Sequence, residues 1–244
     1  GPLGQELNLP MRFTVCENHE AMSRAAAGIM AEAVAKNPAL LLCAASGGSP
    51  TRAYELFVAD KQAGAQLRVL KLDEWAGLAT DDPASCEAYL QRYLIGPLGL
   101  APERYISFDG AAADLQAECA VLQQRINDAG PIDLCLLGVG LNGHLALNEP
   151  ADALHPGCHV ATLADSSKNH PMLDGRGTPL SHGLTLGMAD ILRSRQLLVL
   201  VSGEQKRDVM EKLLSRKVTP QFPASFLWLH GNVDFVCDKA AMAG

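Results

Sequence analysis

Four short segments of the sequence carry side chains suited to acid–base chemistry or anion binding. The segment LNGHLALNEP (141–150) places His144 and Glu149 five residues apart. An imidazole titrates near neutral pH and a nearby carboxylate can orient it, so this pair is a candidate proton relay. Asn142 can hold one imidazole nitrogen or a substrate hydroxyl. A lone loop histidine is more often structural, and it is the combination with Asn142 and Glu149 that favours catalysis.

The segment SGGSPT (46–51) has the composition of an anion-binding loop. Glycines let the backbone approach an anion, and the free N–H groups at the start of the following helix can bind it. The alternative is an ordinary strand-to-helix turn capped by hydroxyl side chains. The candidate phosphate-binding residues are Ser46, Gly47, Gly48, Ser49 and Thr51.

Two further segments place charged residues at the ends of apolar runs. In LDEW (72–75), Asp73 and Glu74 are adjacent, and because successive strand residues point to opposite faces, we expect only one to face a cleft. In SGEQK (202–206), Lys206 follows a Ser-Gly turn and could hold a phosphate as a point charge. The alternatives are acids on a solvated loop and a solvated lysine.

These segments follow predicted strands that alternate with predicted helices. Continuous apolar strands separated by helices indicate a parallel sheet covered on both faces, with ligand sites at the carboxyl ends of the strands. We predict one α/β domain over residues 11–244, a doubly wound, mostly parallel, Rossmann-like sheet flanked by helices. The predicted strands are 11–16, 39–46, 66–72, 104–108, 132–139, 196–202, 225–230 and 234–238, and the helices are 19–37, 51–64, 84–99, 112–130 and 202–217.

Composition limits the classes of partner. Of 244 residues, 48% are hydrophobic, so a full core can form, and the net charge of −7 argues against nucleic acid as the main partner. No apolar run is long enough to span a membrane and no secretory signal is visible, so we expect a cytoplasmic protein. The oligomeric state is left open, a homo-oligomer included. The residues GPLG (1–4) are typical of a tag-cleavage scar.

The sequence favours neither a metal site nor a bound cofactor. Its seven cysteines form no CxxC pair, and several lie in apolar strand-like runs, as expected for reduced, buried thiols. The glycine segment matches neither a GxGxxG nor a Walker pattern. An anion loop, a lysine, an aspartate and a His/Glu pair together indicate proton transfer on a phosphorylated small molecule.

The four segments SGGSPT, LDEW, GVGLNGHLALNEP and SGEQK resemble, in order and spacing, the glucosamine-6-phosphate deaminase/isomerase family, which includes galactosamine-6-phosphate isomerases and is related to 6-phosphogluconolactonases. LDEW and PASFLWLH (223–230) look closer to the galactosamine branch. The resemblance implies a 2-amino-2-deoxyhexose 6-phosphate as substrate, and a ketohexose 6-phosphate and ammonia as products.

The resemblance also implies roles for individual residues. Asp73 would move a proton from carbon 2 to carbon 1, His144 would assist ring opening, and Glu149 would orient His144. Family members grip the phosphate with an arginine on a lid, for which the segment 166–183 has no clear equivalent. Candidates for substrate binding there and in the glycine-rich turn are Lys168, His170, Arg176 and Gly140.

Two alternatives remain at this point. The first is a 6-phosphogluconolactonase-like hydrolase, which needs no base at carbon 2. The second is a sugar-phosphate-binding regulator without turnover, which would bind the substrate and release no ammonia.

Overall fold

The computed structural model describes residues 11–175 and 180–242. The GPLG segment at 1–4 and Arg176 therefore lie outside the described residues. In this part of the chain the strands are β1 (Met11–Cys16), β2 (Leu41–Ala44), β3 (Arg68–Lys71), β4 (Asp73–Trp75), β5 (Tyr105–Ile106), β6 (Leu134–Gly138), β7 (His159–Thr162), β8 (His182–Thr185), β9 (Gln196–Val201) and β10 (Val233–Asp238).

The helices surround these strands. The α-helices are α1 (His19–Lys36), α2 (Gly48–Phe57), α3 (Cys86–Leu90), α4 (Gly96–Leu98), α5 (Leu115–Ala129), α6 (Asp165–Lys168), α7 (Met188–Leu192) and α8 (Arg207–Leu214). A π-helical turn, Gln91–Ile95, joins α3 to α4. The 3₁₀ helices are Lys61–Gly64, Pro102–Arg104, Pro171–Leu173, Glu204–Lys206, Pro223–Leu229 and Lys239–Ala241.

A seven-stranded sheet in the order β1-β10-β9-β6-β2-β3-β5 organises the fold. Its neighbouring strands pair in parallel, for example Cys43 beside Cys135 and Leu198 beside Leu136. Three short strands, β4-β8-β7, form a separate antiparallel sheet. The predicted α/β fold with a mostly parallel sheet is confirmed.

Both faces of the large sheet are buried, which explains why its strands are continuously apolar. On one face, α1, α2 and the helical segment 86–98 pack on β2, β3 and β9. On the other, α5, α7 and α8 cover the remaining side chains of the same strands. A smaller cluster, including Trp75, Leu147 and Leu163, fills the space under the small sheet.

Side-chain caps fix where two long helices begin. The Asn18 side chain accepts a hydrogen bond from the N–H of Ala21 at the start of α1, and Asp114 accepts one from Ala117 at the start of α5. Each cap satisfies an N–H group that has no partner inside the helix. No helix within residues 11–175 and 180–242 combines the length and apolar character needed to cross a bilayer.

Several sequence expectations are wrong in detail, among them the helix 202–217, which is a 3₁₀ turn followed by an α-helix that ends at Leu214. The predicted strand 225–230 is the 3₁₀ helix Pro223–Leu229, which Pro223 starts and the indole of Trp228 anchors to the carbonyl of Leu213. The predicted helix 51–64 begins earlier, at Gly48, and ends at Phe57, before a separate 3₁₀ turn. The predicted strand 104–108 keeps only Tyr105 and Ile106.

Candidate functional site

The four segments singled out in the sequence follow four strands that are neighbours in the large sheet. The strands β9, β6, β2 and β3 lie side by side at its centre. Because these strands are parallel, their carboxyl ends meet at one edge, where open α/β sheets bind ligands. The topology therefore brings the four segments together.

The adjacent acids of β4, Asp73 and Glu74, have different surroundings. The Glu74 carboxylate is 1% exposed and accepts hydrogen bonds from the backbone N–H groups of Trp75 (2.9 Å), Cys86 (2.8 Å) and Glu87 (3.0 Å). Asp73 is only partly buried, and its carboxylate is 3.9 Å from the Cys86 thiol. The expectation that only one acid faces the cleft agrees with this arrangement.

The surroundings of Asp73 suit a general base. Burial, and then the negative charge of Glu74, raise its pKa to about 7. The charges of His144 and Lys71 and the Cys86 thiol act in the opposite direction. A carboxylate with a pKa near neutrality can both take and return a proton at physiological pH.

His144 and Glu149 form a direct pair. Nδ1 of His144 contacts Oε1 of Glu149, and the N–H of Ala164 donates to Oε2 at 2.6 Å. Burial raises the pKa of Glu149, but its hydrogen bonds with His144, Ala164 and Ser167 outweigh burial and hold the pKa below its ordinary value. Glu149 is therefore a fixed carboxylate that orients the imidazole, and Nε2 has no hydrogen-bond partner among the described residues.

Ser167 completes this pair and was missed in the sequence. Its hydroxyl is 3.0 Å and 2.9 Å from the two oxygens of Glu149 and 3.1 Å from Nδ1 of His144. Ser167 is buried in α6, 18 residues after Glu149. No local pattern links the two positions, so only the fold reveals the contact.

Gly140 gives the His144 ring its space. A Cβ atom at Gly140 would lie 2.5 Å from Nε2 and 2.8 Å from Cγ of His144. The turn closes through hydrogen bonds from the N–H of Gly140 to the carbonyl of His144 and from Gly143 to Gly140. Gly143 has φ +87°, and a side chain there would overlap the ring of Phe222. The glycines of this segment thus bring the histidine back over the sheet edge.

Asn142 supports the turn. Its side-chain oxygen accepts the backbone N–H of His144 at 3.1 Å. The described contact of Asn142 is thus with the backbone of His144, while Nδ1 of the ring is held by Glu149 and Ser167. The alternative, a hydrogen bond from its amide to a substrate hydroxyl, stays a prediction.

The segment 46–51 has the form expected of an anion loop. Gly47 has φ +114° and immediately precedes α2, whose first N–H groups, those of Gly48 and Ser49, lack partners within the helix. The Ser46 hydroxyl is buried without a hydrogen-bond partner of normal geometry among the described residues. The Thr51 hydroxyl is 2.7 Å from the Gly47 carbonyl, so it is already engaged within the loop.

His170 lies beside this loop, and Lys206 lies close enough to His170 for its charge to act on the imidazole. The Lys206 ammonium donates to the carbonyl of Val139, and burial lowers its pKa, so it is not a freely solvated lysine. The ring of His170 faces Gly47, since a Cβ atom there would be 3.9 Å from Nε2 of His170. Nδ1 of His170 accepts the N–H of Met172, so the neutral ring carries its proton on Nε2.

Burial is the main cause of a lowered pKa for His170, and the charges of His144 and Lys206 lower it further. Lys168, in contrast, pairs with Asp165 at 3.6 Å on the outer side of α6. The described contacts give Lys168 no partner in the sheet-edge cleft. Among residues 11–175 and 180–242, no three His, Cys, Asp or Glu side chains are arranged to hold a metal ion.

Comparison with known proteins decides the family. The family described as glucosamine-6-phosphate isomerases/6-phosphogluconolactonase matches residues 17–236. The chain belongs to this family. The chain is similar to AgaI of Escherichia coli (strain K12), provisionally named a deaminase, with 40% identity over 91% of this chain and 88% of that protein. It is also similar to glucosamine-6-phosphate deaminase of Bacillus pumilus (strain SAFR-032), with 35% identity over 95% of this chain and 98% of that protein.

Two solved structures agree with the fold. A monomeric glucosamine-6-phosphate deaminase is 33% identical, with a TM-score of 0.88 over 95% of this chain and 98% of that one. The 6-phosphogluconolactonase of Leishmania guyanensis has a TM-score of 0.78 at 23% identity, over 94% and 96% of the two chains. The second likeness concerns the fold alone.

Proposed function

We propose that this protein is an aminosugar-6-phosphate deaminase that converts galactosamine 6-phosphate, or glucosamine 6-phosphate, to the ketohexose 6-phosphate and ammonia. One observation carries the proposal: a carboxyl group of pKa about 7, Asp73, interacts across one sheet edge with the His144–Glu149 pair. This is the pair of separately placed proton carriers that an aldose–ketose isomerisation requires.

Ring opening is the first step of the proposed mechanism. The anomeric hydroxyl loses its proton, the bond from carbon 1 to the ring oxygen breaks, and the ring oxygen gains a proton. His144 exchanges protons with these oxygens through Nε2, because Nδ1 is held by Glu149. The ionised Glu149 stabilises the imidazolium of His144 when both imidazole nitrogens are protonated.

Isomerisation and loss of ammonia follow. The Asp73 carboxylate takes the proton from carbon 2 of the open-chain aldehyde while oxygen 1 gains a proton from solvent, leaving an enolamine. The same carboxyl group returns its proton to carbon 1, which becomes the CH₂OH group, and carbon 2 becomes an iminium. One water molecule adds to carbon 2, ammonia leaves and one proton returns to solvent, so substrate plus water equals ketohexose phosphate plus ammonia.

The phosphate anchor sets the distance between these reacting carbons and the two proton carriers. We assign the anchor to the N–H groups of the segment 46–51 and the hydroxyls of Ser46 and Ser49, together with Lys206 and His170. Fixing one end of a flexible sugar chain in this way can contribute several kcal/mol to the barrier reduction. Gly140 contributes by leaving room for His144, and Asn142 by holding the turn.

We also propose a preference for the galacto configuration. The support is the likeness of the segments LDEW and PASFLWLH to the galactosamine branch. The proposed preference for the galacto configuration is supported by fewer residues than the proposed deaminase reaction.

Ammonia release from the purified protein tests both statements. Galactosamine 6-phosphate and glucosamine 6-phosphate are offered separately, and Asp73→Asn is the matched control. We expect the parent protein to release ammonia from galactosamine 6-phosphate, or from both compounds. We expect kcat/KM to be larger for galactosamine 6-phosphate than for glucosamine 6-phosphate. A preference for the gluco compound would keep the reaction and overturn the specificity.

Two other outcomes would replace the proposal. Rapid hydrolysis of 6-phosphogluconolactone without ammonia release would establish a lactonase. Tight binding of both aminosugar phosphates without turnover of any of the three compounds would establish a regulator.

A further inference from the structure

Three oxygen atoms, the carbonyl of Gly47 and the hydroxyls of Thr51 and Tyr89, form a triangle of hydrogen bonds at the anion loop. The hydroxyl of Tyr89 lies 2.8 Å from the Gly47 carbonyl and 2.8 Å from the Thr51 hydroxyl, which is itself 2.7 Å from the same carbonyl. Burial raises the pKa of Tyr89, so its phenol stays protonated and acts as a donor. The triangle turns the Gly47 carbonyl toward Tyr89, which keeps this acceptor away from any anion bound by the following N–H groups.

Tyr89 belongs to a helix whose start is tied to the strand of Asp73. The Glu74 carboxylate accepts the N–H groups of Cys86 and Glu87, the first two residues of α3. Tyr89 lies less than one turn further along this helix. A short, rigid path therefore joins Asp73, through Glu74 and α3, to the carbonyl of Gly47.

Buried charge holds Glu74 in place. The ammonium of Lys71, which is 0% exposed, lies 3.1 Å from Glu74, 3.2 Å from Glu87 and 2.7 Å from the carbonyl of Phe108. Glu87 also accepts hydrogen bonds from the hydroxyls of Tyr105 and Ser107. Every member of this cluster has partners, which is the condition under which a buried polar network gives a rigid structure.

We propose that Tyr89 is a positioning residue that, through Glu74, fixes the anion loop relative to Asp73. This inference rests on the proposed function for the identity of the substrate, while its statement about the loop concerns any phosphate bound there. Neither residue touches the substrate. Tyr89 shapes the loop that receives the phosphate, and Glu74 aligns that loop with the base.

Tyr89→Phe removes the hydroxyl and keeps the ring. The matched control is Tyr93→Phe, since Tyr93 lies four residues further along and its ring packs 4.8 Å from that of Tyr89. Inorganic phosphate binding is measured by calorimetry, and KM and kcat by ammonia release. For Tyr89→Phe we expect phosphate Kd and KM to rise about fivefold, as for the loss of one hydrogen bond, with kcat changed less. For Tyr93→Phe we expect values within twofold of the parent, because the described part of the chain gives the Tyr93 hydroxyl no hydrogen bond comparable to that of Tyr89.

Glu74→Gln tests the second half of the path. In this variant we expect kcat to fall more than KM rises, because the base and the loop lose their alignment. In the double variant with Tyr89→Phe, the effects on kcat/KM should be less than additive, since both changes loosen the same unit. If Glu74→Gln does not fold, the comparison of Tyr89→Phe with Tyr93→Phe still decides the role of the Tyr89 hydroxyl.

Three results would overturn the inference: unchanged phosphate affinity in Tyr89→Phe, equal effects of Tyr89→Phe and Tyr93→Phe, or full additivity in the double variant. Phosphate binding is read without turnover. A protein that bound phosphate as expected but released no ammonia would therefore contradict the proposed function and leave the role of Tyr89 supported.

Discussion

The hydroxyl of Ser167 lies within 3.0 Å of both carboxylate oxygens of Glu149. The contact joins α6 to the turn after β6 and fixes the rotation of the carboxylate that holds His144. Removing the hydroxyl in Ser167→Ala should lower kcat about tenfold with a smaller change in KM, because a hydrogen bond to a charged group is lost and the imidazole is less well oriented. Steady-state ammonia release measures both constants.

Ser166→Ala is the control for this prediction, since Ser166 is exposed on the same helix. Equal losses in the two variants would show that α6 as a whole, and not the Ser167 hydroxyl, supports Glu149.

The pH dependence of kcat/KM, which reports the ionisation of groups in the free enzyme, should report Asp73. The base must be ionised to take the proton from carbon 2, and its pKa is about 7. Activity should therefore rise as pH increases through about 7 and level off above it. In Asp73→Asn we expect kcat to fall about 10³-fold or more. A profile that is flat from pH 5.5 to 8 would show that Asp73 does not carry the proton.

The Asp73 carboxyl group should also lower the free energy of unfolding above the pH at which the unfolded state releases its proton. Its pKa is raised from 3.8 to about 7 in the folded protein, so between these values the folded state keeps a proton that the unfolded state has released. The free energy of unfolding therefore falls as pH rises through this window. At pH 8, Asp73→Asn should be more stable than the parent by at most about 4 kcal/mol, and the gain should shrink toward pH 4.

Urea unfolding at pH 8 and pH 4.5 measures this difference. An Asp73→Asn variant that is less stable than the parent at pH 8 would mean that the carboxylate makes favourable contacts that outweigh its burial.

Gly140 offers a steric test of the histidine. The new methyl group in Gly140→Ala would overlap the His144 ring, displacing it from its place beside Glu149. A displacement of about 1 Å can lower kcat about 100-fold. Gly138→Ala serves as the control, because a Cβ atom there meets nothing within 4 Å. A crystal structure of Gly140→Ala would show whether the ring has moved.

His170 should contribute to phosphate affinity. Its Nε2–H group faces Gly47, so His170→Ala should raise KM and the Kd for inorganic phosphate about fivefold while changing kcat less. The exposed His155 provides the comparison, as His155→Ala should leave both values unchanged. Unchanged phosphate binding in His170→Ala would remove this residue from the anchor.

Much of the fold follows from local patterns. Strand β1 has the predicted bounds, and β2, β3, β6, β9 and β10 lie within two residues of theirs at each end, because fully buried parallel strands are short, apolar and bounded by turns. The run 225–230 has the same appearance, yet it is a 3₁₀ helix. Periodicity cannot separate these two structures in a short apolar run, and Pro223 was the signal that could have corrected the prediction.

The candidate site was only partly visible in the sequence. Asp73, His144 and Glu149 stand at strand ends, and the topology brings those ends together. Ser167 and Tyr89 act over long sequence separations, so no spacing rule could find them. Thr51 and Asn142 have the residue types of ligand-binding groups, but their contacts with Gly47 and His144 support the backbone.

The pairing of β1 with β10 has a consequence for how the protein is made. Within the large sheet β1 is an edge strand whose one neighbour is β10, with Met11 beside Val233 and Cys16 beside Asp238. A ribosome delivers these two segments more than 200 residues apart, so β1 must wait for more than 200 further residues before its backbone groups are paired with β10. The first of the described strands is thus paired only after the last one has been synthesised, and until then the nascent chain exposes it to other strands.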